Sequence, residues 1–234
     1  MLNPHQMLIN PDTIYEMLLD GSLKENYPEI FNLFGVPQNP TYHPEIDCGV
    51  HTVMALKQVD IRVSNQTLIS VAILCHDFGK ATTPKDILPK HIGHEVRGVA
   101  IAKHFLERVD YSLTKTQKDF VLLFVEHHTR LYGYIKSNIG TIVNTLTIFN
   151  STGYFNEAVY AGWCDKMGRG WDAQSYTNAE DKNTKMMQFW KAINIEYIKL
   201  TETAEYRKTT GLLRHNFLCN KMTSRIKATR ERYS

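Results

Sequence analysis

Apolar residues recur along most of the chain every three or four positions, which is the period of an α-helix. In the segment 114–132, for example, Phe120, Leu123, Phe124 and His127 share one face of a predicted helix. Strand signals, in which apolar and polar residues alternate between turn dipeptides, are nearly absent from the sequence. The pattern therefore predicts an all-α fold, a compact helical bundle with a basic helical extension at its C-terminal end.

Capping residues, prolines and glycines divide this pattern into separate helices. Asp12 is the predicted N-cap of the first helix, and the prolines and Gly35 between Pro28 and Pro40 break any long element after it. The segment 80–93 contains two further prolines and is a predicted loop. Helices are predicted over residues 49–61, 65–77, 94–109, 114–132, 139–149, 156–166 and 178–204.

The segment 65–77 contains a nearly continuous apolar run between Leu68 and Leu74. A run of this kind fits either a buried strand or a buried helix. The length of the segment favours a helix, and so does Gly79, which stands where a C-terminal glycine would end the helix. We therefore predict a buried helix here.

Length and composition are consistent with one main domain. The chain has 234 residues, of which 43% are hydrophobic and 22% are charged, values typical of globular rather than disordered proteins. We predict a main domain over residues 41–205, an N-terminal helical extension over 1–40 and a basic tail over 206–234. The net charge of +3 is too small by itself to indicate binding to nucleic acid.

Several features of the sequence predict a cytoplasmic protein. The four cysteines form no CxxC pair, and a chain of this length does not need disulfides for stability. The first residues lack the basic and then apolar regions of a signal peptide. No stretch approaches about 18 consecutive apolar residues, so no association with a membrane is predicted. The sequence leaves the oligomeric state open.

The most informative polar residues are His76 and Asp77, which stand side by side at the end of the apolar segment 65–77. Burying an imidazole beside a carboxylate is costly unless both have partners, and a metal ion is a common partner for such a pair. His51 lies on the preceding predicted helix, and Asp165 follows another apolar helix far downstream. Two imidazoles and two carboxylates suit Mn, Fe, Co, Ni or Mg. We predict that these four residues bind a divalent metal ion that activates a water molecule.

The order of these residues resembles the signature of the HD superfamily of metal-dependent phosphohydrolases, which is a histidine, an adjacent His-Asp pair and a distant aspartate. The surrounding runs are more specific, and over about residues 42–171 they are similar to the C-terminal HD domain of bacterial CCA-adding enzymes. The glycine-rich nucleotide loop and the paired-aspartate strand that CCA addition requires are not found, so CCA addition is not predicted. The matching runs are EIDCGVHTVMAL (45–56), ILCHDFGKATTP (73–84), HIGHEVRGV (91–99), LLFVEHH (122–128) and WCDKMGRG (163–170).

The resemblance implies a role for further histidines. In HD proteins with two metal ions, additional histidines complete the second site, and the matching positions here are His94 and His128, with His127 as the neighbouring alternative. These histidines could instead contact the substrate or protonate the leaving group. The resemblance therefore implies one or two divalent ions and leaves their number open.

Three cations are candidates for holding a phosphate, whose oxygens carry negative charge in the transition state. Lys80 follows the His-Asp pair within a turn, Arg97 is three residues after His94, and Arg169 is four residues after Asp165. Solvation at the surface is the alternative for each of them. The predicted catalytic residues are Lys80, Arg97, His128 and Asp77, and the predicted substrate-binding residues are Lys80, His94, Arg97 and Arg169.

Four other positions near these motifs have two interpretations each. Glu45 and Asp47 precede His51, so they could either orient its imidazole or cap the loop. Tyr132 and Trp171 could stack on a nucleobase, but packing in the core or at its rim is the simpler interpretation.

The resemblance implies hydrolysis of phosphate esters in nucleotides or at RNA ends, as a 2′,3′-cyclic phosphodiesterase, 2′-nucleotidase or phosphatase. The alternatives are a hydrolase of a dNTP or cyclic-nucleotide signal and a non-catalytic nucleotide- or RNA-binding module. The basic tail is either a solvated helix face or an arm that contacts tRNA or another RNA. Its cations are Arg207, Lys208, Arg214, Lys221, Arg225, Lys227, Arg230 and Arg232.

Overall fold

The helical periodicity of the sequence is realised throughout the computed structural model, which describes residues 8–234. Within this range the chain forms twelve α-helices joined by short loops and 3₁₀ turns, with no strand beyond a single bridge between Pro37 and Asp47. The predicted all-α fold is confirmed. The helices are α1 (Pro11–Leu19), α2 (Ser22–Asn26), α3 (Pro28–Phe31), α4 (Cys48–Leu56), α5 (Gln66–Cys75), α6 (His94–Arg108), α7 (Lys115–His127), α8 (Ile139–Asn150), α9 (Phe155–Met167), α10 (Ala173–Thr201), α11 (Ala204–Arg207) and α12 (Gly211–Tyr233).

The first helix begins two residues earlier than the sequence predicted. Asn10, not Asp12, is the N-cap, and its side-chain oxygen accepts a hydrogen bond from the backbone N–H of Asp12. Asp12 cannot cap the helix because Pro11 already occupies its first turn, a position that proline favours. Residues 1–7 of the predicted N-terminal extension lie outside the described residues.

Helix α5 lies at the centre of the protein and packs against α4, α7 and α9. Every residue from Leu68 to Cys75 is buried, so the helix is apolar on all sides, as expected for a helix surrounded by others. The prediction of a buried helix, rather than a buried strand, is confirmed. This position brings the residues that follow α5 into the middle of the core.

Gly79 does not end α5 as a C-terminal glycine, which corrects the sequence-based interpretation. The helix ends at Cys75 with His76 as its C-cap, and Gly79 lies in a 3₁₀ turn over Phe78–Thr82. A Cβ atom on Gly79 would lie 1.9 Å from the backbone oxygen of His94. A glycine is therefore needed because the 3₁₀ turn and the start of α6 pack backbone against backbone.

The long polar helix also differs from its prediction, because it starts before residue 178. Asp172 caps α10 by accepting a hydrogen bond from the N–H of Ser175, so the helix begins at Ala173. It ends at Thr201 and packs against α9 and α12. The indole of Trp190 on α10 donates a hydrogen bond to the backbone oxygen of Leu131, which ties this helix to the core.

The basic tail forms α11 and α12 and is packed against the rest of the protein. Leu218, Met222 and Ile226 of α12 are buried against α8 and α10. Two of its cations form ion pairs with glutamates, Lys221 with Glu205 and Arg225 with Glu196. None of the helices within residues 8–234 is both long and apolar enough to cross a membrane.

Candidate metal centre

Six of the predicted site residues converge in the core, although they come from five separate parts of the chain. His51 lies on α4, His76 and Asp77 follow α5, His94 begins α6, His128 follows α7, and Asp165 lies near the end of α9. All six residues are buried, with at most 8% exposure. Overlapping groups of three among them have ligand atoms within 4.8 Å of one another. The sequence prediction therefore identified residues that the fold brings together.

Asp77 lies at the centre of the cluster, and its two oxygens face different pairs of histidines. Oδ2 lies 3.1 Å from Nε2 of His76 and 3.9 Å from Nε2 of His51. Oδ1 lies 3.3 Å from Nε2 of His94 and 3.9 Å from Nε2 of His128. The second carboxylate, Asp165, lies on the side of the first pair, where its Oδ1 is 2.9 Å from Nε2 of His51.

Backbone carbonyls orient three of the four histidines in the same way. His76, His94 and His128 each donate a hydrogen bond from Nδ1 to the carbonyl of the residue three positions earlier, at 2.6, 2.8 and 3.0 Å. His51 donates from Nδ1 to the more distant carbonyl of Gly168, at 2.9 Å. Since a carbonyl only accepts, a proton lies on each Nδ1, and each Nε2 faces the cluster.

Several buried polar atoms at the centre of the cluster face one another and Lys80 without well-formed hydrogen bonds. They are Nε2 of His76, Nε2 of His94 and both carboxylate oxygens of Asp77. Burying such polar and charged groups is costly unless their partners are well placed. A divalent cation would satisfy these nitrogen and oxygen donors together, and they suit Mn, Fe, Co, Ni or Mg. The residues present therefore fit a metal centre.

The electrostatics of the cluster couple its imidazoles to its carboxylates. Burial lowers the pKa values of His76 and His94, but the nearby carboxylates outweigh burial and raise both values. Burial raises the pKa values of Asp77 and Asp165, but the charge of His76 and of neighbouring cations outweighs burial and holds both pKa values well below the usual range. Burial, and then the charge of His76, lowers the pKa of His128 to about 4. At neutral pH the two aspartates are therefore ionised and His128 is neutral.

Lys80 is the predicted phosphate-binding cation that the fold places at the centre. Its ammonium lies 2.7 Å from Oδ2 of Asp77 and donates a hydrogen bond of 2.6 Å to the side-chain oxygen of Gln38. Burial lowers the pKa of Lys80, but the charge of Asp77 outweighs it and the pKa is raised. Lys80 is thus a buried, charged ammonium beside the cluster.

The two predicted arginines are engaged in other contacts. Arg97 donates hydrogen bonds to the hydroxyls of Thr82 and Thr83 and to the carbonyl of Ile92, so its guanidinium holds the loop before α6. Arg169 donates one hydrogen bond of 2.6 Å to the carbonyl of Tyr42, whereas its Nε is buried without a partner. The structure therefore brings Lys80, but not Arg97, into contact with the clustered carboxylates.

His127, the alternative to His128, is not part of the cluster. Its Nε2 lies 3.8 Å from the carboxylate of Glu126, and it belongs to none of the groups of candidate ligands. The chain leaves α7 after His127 and enters a 3₁₀ turn that begins with His128. This change of geometry directs the second histidine of the pair into the core.

Glu45 and Asp47 have different roles at the entry to α4. Oε1 of Glu45 lies 3.0 Å from Nδ1 of His51, so Glu45 supports the orientation of this imidazole. Burial raises the pKa of Glu45, but hydrogen bonds from His43 and His51 outweigh burial and lower it. Asp47 instead caps α4 by accepting from the N–H of Val50. The sequence is compatible with either role, orienting His51 or capping the loop, for both residues.

Three residues at the edge of the cluster have contacts that the sequence did not predict. Tyr132 donates a hydrogen bond from its hydroxyl to Oδ2 of Asp165, and the ammonium of Lys166 lies 4.3 Å from the centroid of the Tyr132 ring. Gln38 accepts from Lys80, and the nitrogen of its side chain is buried without a partner. For Tyr132, the sequence offers one relevant feature, its position four residues after His128, which is one turn of a helix.

Comparisons with known proteins agree with this geometry. Residues 49–157 match the HD domain family. The chain is 38% identical over 179 residues to the multifunctional CCA protein of Actinobacillus pleuropneumoniae serotype 5b (strain L20), covering 73% of the chain and 43% of that protein. It is 37% identical over 191 residues to the protein of the same name from Acinetobacter baumannii (strain AYE), covering 79% and 45%. The chain thus spans less than half the length of these relatives. No solved structure matches it significantly.

Proposed function

Because residues 49–157 form an HD domain, the domain of a superfamily of metal-dependent hydrolases, we propose that this protein hydrolyses phosphate esters of nucleotides or RNA ends. The observation that carries the proposal is the convergence of six buried imidazole and carboxylate groups, whose ligand atoms lie within 4.8 Å of one another in overlapping groups of three. A purely structural core has little reason to gather so many titratable groups, whereas a metal centre requires them. The ionised Lys80 beside them supplies the positive charge that a phosphate needs.

We assign the metal ligands from the way in which Asp77 divides the cluster. His51, His76 and Asp165 face one side of its carboxylate, and His94 and His128 face the other. These residues would hold one or two divalent ions, with His94 and His128 as ligands rather than as proton donors. A divalent ion bound there supplies a Lewis acid that lowers the pKa of water and neutralises charge on a phosphoryl group.

The residues of the chain have separate tasks in the proposed reaction. The backbone carbonyls behind the histidines keep each Nε2 directed inward, so little reorganisation is needed during the reaction. Lys80 donates to a phosphoryl oxygen, and Gln38 keeps its ammonium in place. The nearly complete burial of these groups excludes bulk water, which strengthens their interaction with a phosphate.

The similarity to multifunctional CCA proteins supports an RNA-related ester as the substrate, with the 2′,3′-cyclic phosphate as the first candidate. The basic tail offers less support than its composition suggested. It is a packed helix in which Lys221 and Arg225 pair with glutamates, so only part of its charge is available to tRNA or another RNA. A substrate site is therefore better sought nearer to the cluster.

A panel of phosphate esters tests the proposal directly. Metal-stripped protein is supplied with Mn, Ni, Co, Mg or Fe and assayed on an aryl phosphate, 2′,3′-cyclic AMP, 2′-, 3′- and 5′-AMP, dNTPs and RNA with a 3′-terminal cyclic phosphate. We expect metal-dependent hydrolysis of the cyclic phosphate. Turnover of dNTPs alone would support the alternative of a small signalling nucleotide. Metal binding without turnover of any ester would support the non-catalytic alternative.

The matched variants are Asp77→Asn and Asp60→Asn. Both remove one negative charge with little change in volume, but Asp60 lies at the surface and pairs with Arg62. We expect Asp77→Asn to lower metal content and to reduce kcat/KM by about 100-fold, because Asp77 lies closest to the centre of the clustered ligand atoms. Asp60→Asn should match the wild type, and an Asp77→Asn protein with full activity would refute the assignment.

A further inference from the structure

A groove beside the metal centre has no part in the chemistry described so far. Its volume is about 340 Å³, and it is formed by the end of α9, the following loop and the first half of α10. Among the described residues that line it there are three cations and one indole but no carboxylate. We call it the basic groove and define it by Lys166, Arg169, Trp171, Asn178, Lys182 and Asn183.

The basic groove leads toward a residue that contacts the metal centre. A second cavity of about 420 Å³ shares Lys166, Lys182 and Asn183 with it and extends to Tyr132. The hydroxyl of Tyr132 in turn donates to Asp165, one of the proposed metal ligands. A chain-like ligand bound in the groove would therefore have one end close to the proposed reaction site.

The walls of the groove are held in place by contacts that leave the ammonium of Lys182 without an ion pair among the described residues. The side-chain nitrogen of Asn183 lies 3.3 Å from the sulfur of Met167, which connects α10 to the end of α9. Lys182 is exposed and forms no ion pair with any described carboxylate, because the nearby Asp181 pairs with Lys185 at 3.2 Å. A charged surface lysine in this position is free to contact an anionic ligand.

Two further donors in the groove lack partners. Nε of Arg169 and Nε1 of Trp171 are buried and have no hydrogen-bond acceptor among the described residues. The guanidinium of Arg169 lies 5.8 Å from the Trp171 ring, so the indole is supported on one side. Cations that follow a phosphate backbone, combined with an aromatic ring for a base, are typical of sites that bind single-stranded nucleic acid.

We propose that the basic groove binds the nucleotides that precede the reacting ester in a single-stranded RNA. The inference rests on the proposed function and extends it, because it makes an RNA chain rather than a mononucleotide the substrate. Lys166, Arg169 and Lys182 contact phosphodiester oxygens, and Trp171 stacks on a base. All the residues that line the groove come after residue 157, outside the part that matches the HD domain family.

The test compares Lys182→Glu with Lys191→Glu. Both substitutions reverse one exposed charge on α10, but Lys191 lines a different cavity, between α9 and the middle of α10. Binding is measured by fluorescence anisotropy of a labelled single-stranded 12-nucleotide RNA that ends in a 3′-phosphate, over a range of salt concentrations. Hydrolysis is measured in parallel on 2′,3′-cyclic AMP and on the same RNA with a cyclic phosphate end.

We expect Lys182→Glu to weaken RNA binding roughly 10-fold, because one phosphate contact is lost. The negative slope of log K against log salt should become shallower by at least about 0.7. The activity of this variant on 2′,3′-cyclic AMP should stay at the wild-type level while its kcat/KM on the RNA falls. Trp171→Ala should weaken RNA binding roughly 5-fold without changing the salt slope, because stacking is not ionic. Lys191→Glu should behave as the wild type.

The outcomes separate this inference from the proposed function. Wild-type RNA affinity in Lys182→Glu, with hydrolysis of 2′,3′-cyclic AMP intact, would overturn the groove proposal and leave the phosphohydrolase assignment standing. RNA binding that depends on Lys182, in a protein that hydrolyses no ester of the panel, would support the groove and overturn the proposed function. A competition experiment gives a further test, in which inorganic tripolyphosphate and unlabelled RNA displace the labelled RNA. If the two competed equally well at the same concentration of phosphate groups, charge alone would determine binding and the groove proposal would be overturned.

Discussion

Replacing Gly79 with alanine is expected to damage both the fold and the metal centre, because the position has no space for a side chain. An alanine Cβ would lie 1.9 Å from the backbone oxygen of His94 and 2.6 Å from the backbone nitrogen of Gly98. Since real Cβ contacts essentially never fall below 3.0 Å, the backbones must separate by at least about 1.1 Å, the difference between 3.0 and 1.9 Å. Both obstructing atoms belong to the backbone of α6 and cannot rotate away.

We expect the free energy of unfolding to fall by about 2–4 kcal/mol. This is the range for an overpacked site at which the surrounding backbone relaxes only in part. For a chain of this size, that loss corresponds to a fall in Tm of roughly 5–15 °C. His94 moves together with α6, so its Nε2 also moves away from Oδ1 of Asp77. We therefore expect the variant to bind fewer metal ions per protein than the wild type, even under conditions where it stays folded.

Thermal unfolding of the metal-free protein measures the first effect, and metal content after dialysis measures the second. Gly140→Ala is the matched control, because the nearest atom to its Cβ is 3.4 Å away and the residue lies within α8. An alanine there should raise stability by about 0.5–1 kcal/mol, since alanine favours a helix more than glycine does. If Gly79→Ala unfolded within about 1 °C of the wild type and kept its full metal content, the argument from close packing would be wrong.

Three further changes test other parts of the site. Tyr132→Phe removes the hydroxyl that donates to Asp165, and competition with a chelator should show metal affinity reduced about 10-fold, whereas Tyr134→Phe should leave it unchanged. Ile46 has a φ of +64°, in the left-handed region that is unfavourable for a β-branched residue, so Ile46→Asn should raise the denaturant midpoint by an amount equivalent to about 1 kcal/mol. Burial lowers the pKa of His128 to about 4, whereas an unfolded histidine titrates near 6.5. Between these values the unfolded state binds the extra proton, so the metal-free protein should lose roughly 3 kcal/mol of stability from this residue as the pH falls from 6.5 to 4. His128→Gln should remove that part of the pH dependence, and identical slopes for the variant and the wild type would contradict the burial argument.

The helices could be predicted because their signals are local. The periodicity of apolar residues placed α5, α7 and α9 within a few residues of their observed bounds. The errors arose where a residue has two possible roles. Asp12 resembles an N-cap, but Asn10 before Pro11 takes that role. Gly79 resembles a helix end, but it is required by contact with α6, which begins 15 residues later, at His94.

Four of the six clustered residues could also be predicted from their types and order, which carry a chemical meaning, and the resemblance to HD proteins added His94 and His128. Histidine and aspartate side by side after a buried helix indicate a partner such as a metal ion, whatever the rest of the fold. The number of ions could not be predicted in the same way. It would depend on the relative positions of four histidines around Asp77, and these come from four different places in the sequence.

The sequence by itself determined the helices, the buried position of the His-Asp pair and the chemistry of its ligands, because each depends on residue type and short-range spacing. Only the tertiary structure decided that Tyr132 contacts Asp165, that Gln38 holds Lys80 and that Arg97 is engaged by a loop. It also decided that Lys166, Arg169 and Lys182 line one groove. These contacts depend on how whole helices pack against one another. Burial of the apolar faces sets the relative positions of the helices, and the polar residues are brought together as a consequence.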